Sequence, residues 1–168
     1  MLRELHTELG IPEDYGQDGT RPVFEEAADL VDVGPNLVGR MQSLTPLAAR
    51  RWADMKVAAA EEGVILMIVS GFRTVDYQAR LIRRKINAGQ SVSEILLVNA
   101  APGFSEHHTG RAVDIASPGS RPLTEEFENS DAFRWLERNA AAYGFSMSYP
   151  RDNPGGFIYE PWHWAQNG

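Results

Sequence analysis

Two short segments that lie far apart in this 168-residue chain both carry histidine and acidic residues, the side chains that can bind a metal ion. The first, SEHHTGRAVD, contains His107 and Asp114, and the second, EPWHW, contains Glu160 and His163. Two histidines and a carboxylate are typical ligands of a catalytic zinc ion, which keeps a fourth position for water. Glu160, close to His163 in the chain, would then accept a proton from that water. The chain must therefore fold so that these two segments meet.

Each candidate in the first segment also has an ordinary structural explanation. His107 and His108 are adjacent, so in extended backbone they point to opposite sides and only one can be a ligand. The spacing alone does not say which one. Asp114 stands between Val113 and Ile115, so its carboxylate is expected to be buried and to need a cation. That cation is a metal ion or an arginine.

The other two histidines favour different environments. His6 lies in a charged, amphipathic N-terminal segment and is expected on the surface of a helix. His163, flanked by Trp162 and Trp164, would by itself be interpreted as a core histidine in an aromatic cluster. The helical HExxH motif is absent, which excludes a thermolysin-type zinc site.

Composition narrows the class of protein. The apolar content of 43% is typical of one soluble globular domain, and we expect a monomer. The net charge of −7 argues against a nucleic-acid surface. Without cysteine, any metal must be held by nitrogen and oxygen. No long apolar run predicts a membrane span, and no signal peptide is visible, so the chain as written is expected to be cytoplasmic. A trimmed signal peptide would instead make it periplasmic.

The element pattern predicts an α+β domain with helices packed on an antiparallel sheet. Residues 1–44 are predicted to be an arm of loops with room for one short strand, and residues 45–168 the catalytic domain. Thr45 and Pro46 open the first long helix, which ends at Gly63. Further helices are predicted at 76–88, at 91–98 and after the Ser130 cap. Strands are predicted at 64–69, 111–116, 145–149 and 157–164. The first of these is expected to be buried, and the last two are expected to form a hairpin.

Arg73 stands where the predicted strand at 64–69 ends and the next helix begins. A guanidinium there would face a cleft and could bind a carboxylate or a developing oxyanion through its planar, charged fork. The alternative is an ordinary surface arginine.

The combined pattern SxHxxGxAxD from Ser105 and ExxHW from Glu160 resembles the zinc D-Ala-D-Ala carboxypeptidases of the VanY type. These belong to the LAS metallopeptidases, with lysostaphin and the hedgehog signalling domain. The segment SGFRTVDYQ from Ser70 also resembles that family, and the likeness spans roughly residues 44–165.

This resemblance implies a hedgehog/D-Ala-D-Ala peptidase fold and a role for each candidate. It selects His107 over His108, and it implies zinc as the cofactor. It further implies that Glu160 is the general base and that Arg73 stabilises the oxyanion or holds the substrate carboxylate. The implied zinc ligands are His107, Asp114 and His163, and the implied substrate contacts are Arg73, Gln78, Ser105 and Trp162.

The implied function is hydrolysis of a peptide bond next to a terminal D-alanine in peptidoglycan-derived peptides. Three alternatives stay open: an L,D-carboxypeptidase acting on tetrapeptides, an endopeptidase cleaving between L-Ala and D-Glu, and a zinc-stabilised binding domain without activity. The presence of both Glu160 and Arg73 favours an enzyme over a binding domain.

Overall fold

The computed structural model describes residues 1–168 and has an α+β architecture. The helices are α1 (Leu2–Glu8), α2 (Pro46–Glu61), α3 (Val75–Asn87), α4 (Val92–Val98) and α5 (Asp131–Asn139), and short 3₁₀ turns occupy Glu106–Thr109, Glu125–Asn129 and Ala140–Tyr143. The strands are β1 (Val31–Pro35), β2 (Met41–Leu44), β3 (Met67–Ser70), β4 (Ala112–Ala116), β5 (Phe145–Met147) and β6 (His163–Gln166). No helix is both long enough and apolar enough to cross a membrane.

The central sheet is antiparallel throughout, with strand order β3–β4–β6–β5. Because side chains alternate along a strand, Val113 and Ile115 of β4 leave one face and Asp114 leaves the other. The first face packs against the apolar stripes of α2 and α5, which bury Trp52, Met55, Trp135 and Leu136. The second face carries the polar candidates.

A second apolar cluster joins the N-terminal segment to α3 and α4. Leu9, Ile11 and Tyr15 pack against Ala79, Ile82, Ile95 and Leu96. Farther along the segment, the backbone N–H of Ala27 donates to the carbonyl of His108 at 2.8 Å. The segment therefore wraps over the turn that carries the predicted metal ligands.

Most predicted elements are present, with three corrections. The arm at 1–44 contains α1 and a two-stranded ribbon of β1 and β2, where at most one short strand was expected. The strand predicted at 64–69 is paired only from Met67, because β4 ends opposite it at Ala116, and Ile65 is 57% exposed where burial was expected. The predicted hairpin exists, but its second strand is β6, since residues 157–162 pair with no strand.

The helix predicted after Thr45 is confirmed as α2, with Pro46 in its first turn. The predicted cap at Ser130 is also confirmed, because its side chain accepts a hydrogen bond from the backbone of Phe133 in α5. The sequence signals at helix starts were therefore reliable here.

Candidate metal centre

The three predicted ligands come from neighbouring pieces of chain. Asp114 and His163 stand directly opposite each other in the β4–β6 ladder, so both side chains leave the same face of the sheet. His107 lies in the 3₁₀ turn just before β4, which ends at Gly110 in the left-handed conformation. This tight turn returns the chain into β4 with His107 over Asp114.

The ligand atoms of these residues converge. One candidate atom from each of His107, Asp114 and His163 lies within 4.8 Å of the other two, and all three residues are buried. Nε2 of His107 is 3.2 Å from Oδ2 of Asp114, and Nδ1 of His163 is 3.0 Å from Oδ1. The cluster also lines a cleft of about 560 Å³. A substrate and a water molecule could therefore reach a metal ion held there.

Hydrogen bonds on the far side of each imidazole decide which nitrogen faces the cluster. Nδ1 of His107 donates to the carbonyl of Gly71 at 2.7 Å, which leaves Nε2 free to bind a metal. Nε2 of His163 lies 2.7 Å from Oε2 of Glu106, which leaves Nδ1 for the metal. Two oriented imidazoles and one carboxylate fit a catalytic zinc site.

His108 is excluded from the cluster. Its Nδ1 donates to the carbonyl of Arg73 at 2.7 Å, and its Nε2 accepts from the backbone of Gly103 at 3.1 Å. The turn is a 3₁₀ helix and not the extended backbone that we expected, but the two adjacent histidines still diverge. His108 therefore ties together the loops around the site, while His107 enters it.

Arg73 lies beside the cluster, as predicted from its place after β3. Nη2 of Arg73 donates to Oδ2 of Asp114 at 2.9 Å, and its Nε donates to the hydroxyl of Ser70 at 2.9 Å. Asp114 was expected to need either a metal ion or an arginine as its cation. The structure leaves room for both, because the carboxylate contacts Arg73 and still faces both histidines.

The other three predicted substrate contacts, Gln78, Ser105 and Trp162, are all buried beside the cleft. Gln78 accepts a hydrogen bond from Nη1 of Arg73 at 3.3 Å and donates to the carbonyl of Ala100 at 2.8 Å. It lines the cleft but is 1% exposed, so in this structure it supports Arg73. Ser105 and Trp162 also line the cleft, and Trp162 extends into the main core as well.

Glu160 lies at the cluster, with Oε2 3.9 Å from Nδ1 of His163. Burial raises the pKa of Glu160 to about 7, and the nearby carboxylates of Asp114 and Glu106 act in the same direction. A carboxyl group with a pKa near neutrality can both accept and return a proton at physiological pH.

The two candidate histidine ligands are perturbed in opposite directions. Burial lowers the pKa of His107 to about 4, and the Arg73 guanidinium adds to that effect. Burial also disfavours charge on His163, but hydrogen bonds to Asp114 and Glu106 outweigh it and raise the pKa to about 10. Of the two histidines, His163 is therefore the one that holds a proton when no metal is bound.

Sequence reasoning missed Glu106 and Tyr149. Glu106 forms a hydrogen bond with His163. The ring of Tyr149 lines the cleft, with its centroid 4.7 Å from that of the His163 imidazole. The position of Glu106, directly before His107 in the motif, was a usable signal. The segment Ser148-Tyr149-Pro150 is part of the likeness to the VanY family, but the likeness gave Tyr149 no role, and its ring reaches the site through the folded loop between β5 and β6.

The chain is similar to proteins of a known family. The VanY family, described as D-alanyl-D-alanine carboxypeptidase, matches residues 41–168. A D-alanyl-D-alanine carboxypeptidase of Enterococcus faecalis is 33% identical over 125 residues, which is 68% of this chain and 45% of that protein. The protein YodJ of Bacillus subtilis is 36% identical over 120 residues, which is 69% of this chain and 43% of that protein. The chain thus spans less than half the length of these two relatives.

Solved structures share the fold. The LD-carboxypeptidase LdcB superposes with a TM-score of 0.76 and 33% identity, over 88% of this chain and 72% of that one. VanYB in complex with D-alanine-D-alanine superposes with a TM-score of 0.67 and 26% identity, over 88% of this chain and 82% of that one. A VanY D,D-pentapeptidase variant in complex with Zn(II) superposes with a TM-score of 0.66 and 26% identity, over 88% of this chain and 83% of that one.

Proposed function

This chain belongs to the VanY family of D-alanyl-D-alanine carboxypeptidases, and from that membership we propose that it is a zinc-dependent D,D-carboxypeptidase. The observation that carries the proposal is the convergence of His107, Asp114 and His163 beside Glu160 at a cleft. We further propose that the substrate is a peptidoglycan-derived peptide ending in D-alanine, and that the chain acts as a monomer.

The side chains of the site suit amide hydrolysis. A zinc ion held by His107, Asp114 and His163 would polarise the scissile carbonyl and lower the pKa of water. Glu160 accepts the proton of the attacking water and transfers it to the nitrogen of the leaving amine, since its carboxyl has a pKa near neutrality. Arg73 directs its guanidinium at the cluster and can stabilise negative charge on the carbonyl oxygen.

An L,D-carboxypeptidase acting on tetrapeptides is the second candidate. It is favoured by the likeness to the LD-carboxypeptidase LdcB, which has 33% identity and a TM-score of 0.76. Both reactions use the same metal chemistry and release a terminal D-alanine. They differ in the stereochemistry of the residue before the cut, which the substrate pocket must distinguish.

The test is release of D-alanine from muropeptide pentapeptides and tetrapeptides by the zinc-loaded protein, with and without a chelator. Chelator-sensitive release from the pentapeptide supports the D,D-carboxypeptidase, and release from the tetrapeptide alone supports the L,D enzyme. The control is Glu160→Gln, which should keep its zinc and lose turnover. If the zinc-loaded protein releases no D-alanine from either peptide, the proposed function is refuted.

A further inference from the structure

We propose that Lys85 is a specificity-determining residue that binds the free C-terminal carboxylate of the peptide in the cleft. This inference rests on the proposed function. Lys85 is not among the residues to which the family resemblance gave a role.

Lys85 lies inside the catalytic cleft. Gln78, Leu81 and Lys85 are spaced three and four residues apart on α3, so they form one helix face, and all three line the cleft. Lys85 is two turns, about 10 Å, beyond Gln78 along the helix axis. One wall of the cleft therefore carries a cation at a distance from the metal cluster.

The ammonium group of Lys85 has no anionic partner. Its one hydrogen bond is to the neutral Oδ1 of Asn99, at 2.5 Å, and no carboxylate forms a salt bridge with it. Half-buried charges are normally paired, because removing an ion from water is costly. An unpaired lysine on a cleft wall is therefore suited to bind an anionic group of the ligand.

Arg73 is not equally available for that carboxylate. All three nitrogens of its guanidinium already donate within the protein, to Ser70, Gln78 and Asp114. These bonds fix Arg73 at the reacting end of the cleft. A guanidinium offers five N–H donors and an ammonium three, so two donors remain on each side chain. The difference is in charge, because Arg73 is already paired with Asp114 whereas Lys85 has no carboxylate at salt-bridge distance.

The surroundings of Lys85 match the end of a peptide chain. Residues 98–100 and Ile158 line the same cleft as Lys85, and the backbone N–H of Ile158 donates to the carbonyl of Leu97. Burial lowers the pKa of Lys85 and the like charge of Arg73 adds to that effect, while the Glu160 carboxylate, which forms no salt bridge with Lys85, opposes it. Partial burial strengthens the attraction between an ammonium and a carboxylate relative to bulk water.

The test compares a stem pentapeptide acid with the same peptide carrying a C-terminal amide. Lys85→Met should lower kcat/KM for the acid about 10- to 100-fold, mainly through KM, and leave the amide nearly unchanged. Lys85→Gln, which keeps a hydrogen bond to Asn99, should behave like Lys85→Met, whereas Lys85→Arg should recover part of the preference. Arg84→Met removes an exposed cation of the same helix outside the cleft and is the matched control.

Calorimetric binding of D-alanyl-D-alanine and its C-terminal amide to the zinc-loaded protein separates this inference from the proposed function. If no peptide is cleaved but the acid binds better than the amide through Lys85, the inference stands and the proposed function fails. If D-alanine is released and Lys85→Met has the same kcat/KM for the acid as the wild type, the inference is wrong and the proposed function stands. Equal losses for acid and amide in folded Lys85→Gln would also overturn it.

Discussion

Oε2 of Glu106 lies 2.7 Å from Nε2 of His163, although the two residues are 57 positions apart in the chain. The same carboxylate belongs to the residue directly before His107, so one 3₁₀ turn supplies both a candidate ligand and the support for another. The pair determines which nitrogen of His163 faces the metal. It therefore couples the two sequence motifs of the site.

Glu106→Gln should weaken zinc binding by about 10- to 100-fold, because a neutral amide orients His163 less strongly and makes its imidazole a weaker ligand. Competition with a chromophoric chelator measures the affinity. Glu126→Gln, which removes an exposed carboxylate outside the catalytic cleft, is the control and should bind zinc as the wild type does. Unchanged affinity in Glu106→Gln would show that the Glu106 contact does not support the metal.

Zinc binding should release at least one proton at pH 7.5, because a metal ligand must be deprotonated. In the metal-free protein the pKa of His163 is about 10, so its imidazole carries a proton that the ion must displace. His107, with a pKa of about 4, is already neutral and adds none. Affinity should accordingly rise with pH up to the pKa of His163. Calorimetry in buffers of different ionisation enthalpy counts the proton, and a count of zero would contradict the prediction.

Relative to the wild type, Glu160→Gln should raise the free energy of unfolding of the metal-free protein more at pH 8 than at pH 4. The ordinary pKa of 4.5 applies to the unfolded chain, whereas burial raises the pKa in the folded chain to about 7. The folded state therefore holds an extra proton between these values, and the contribution of Glu160 to stability is lost as pH rises through this window. The effect should be on the order of 3 kcal/mol, since one pKa unit corresponds to about 1.4 kcal/mol.

Urea unfolding of both metal-free proteins at the two pH values measures this difference. The comparison with the wild type at each pH removes contributions from other titrating groups. A stability difference between variant and wild type that does not change with pH would refute the raised pKa.

Gly110→Ala should destabilise the protein by about 2 kcal/mol and weaken zinc binding. Gly110 has φ of 64°, and an added Cβ would lie 3.0 Å from Leu30, 3.2 Å from Thr45 and 3.3 Å from Ala27. Gly119→Ala is the matched control, because Gly119 also has positive φ (82°) but an added Cβ there meets nothing within 4 Å. Thermal unfolding and zinc titration of both variants measure the difference, which should vanish if crowding around Gly110 is unimportant.

Local signals in the sequence predicted local structure well. The Thr45-Pro46 start of α2 and the Ser130 cap of α5 depend on residues within one turn, so their meaning does not change with tertiary context. The strand at 64–69 was wrong in part because pairing depends on where the partner strand ends. The N-terminal ribbon was missed because its two strands stabilise each other and carry little apolar periodicity alone.

The sequence by itself determined the chemistry of the site: two histidines, an aspartate and a glutamate in spaced motifs, with no thiol to compete. Only the tertiary structure decided which nitrogens face the metal and that Glu106, Tyr149 and Lys85 join the cleft. Residue types and short spacings are written in the chain, and they limit which ligands and proton carriers exist. Orientation and proximity depend on contacts between segments far apart in the sequence, which form only when the sheet and helices pack together.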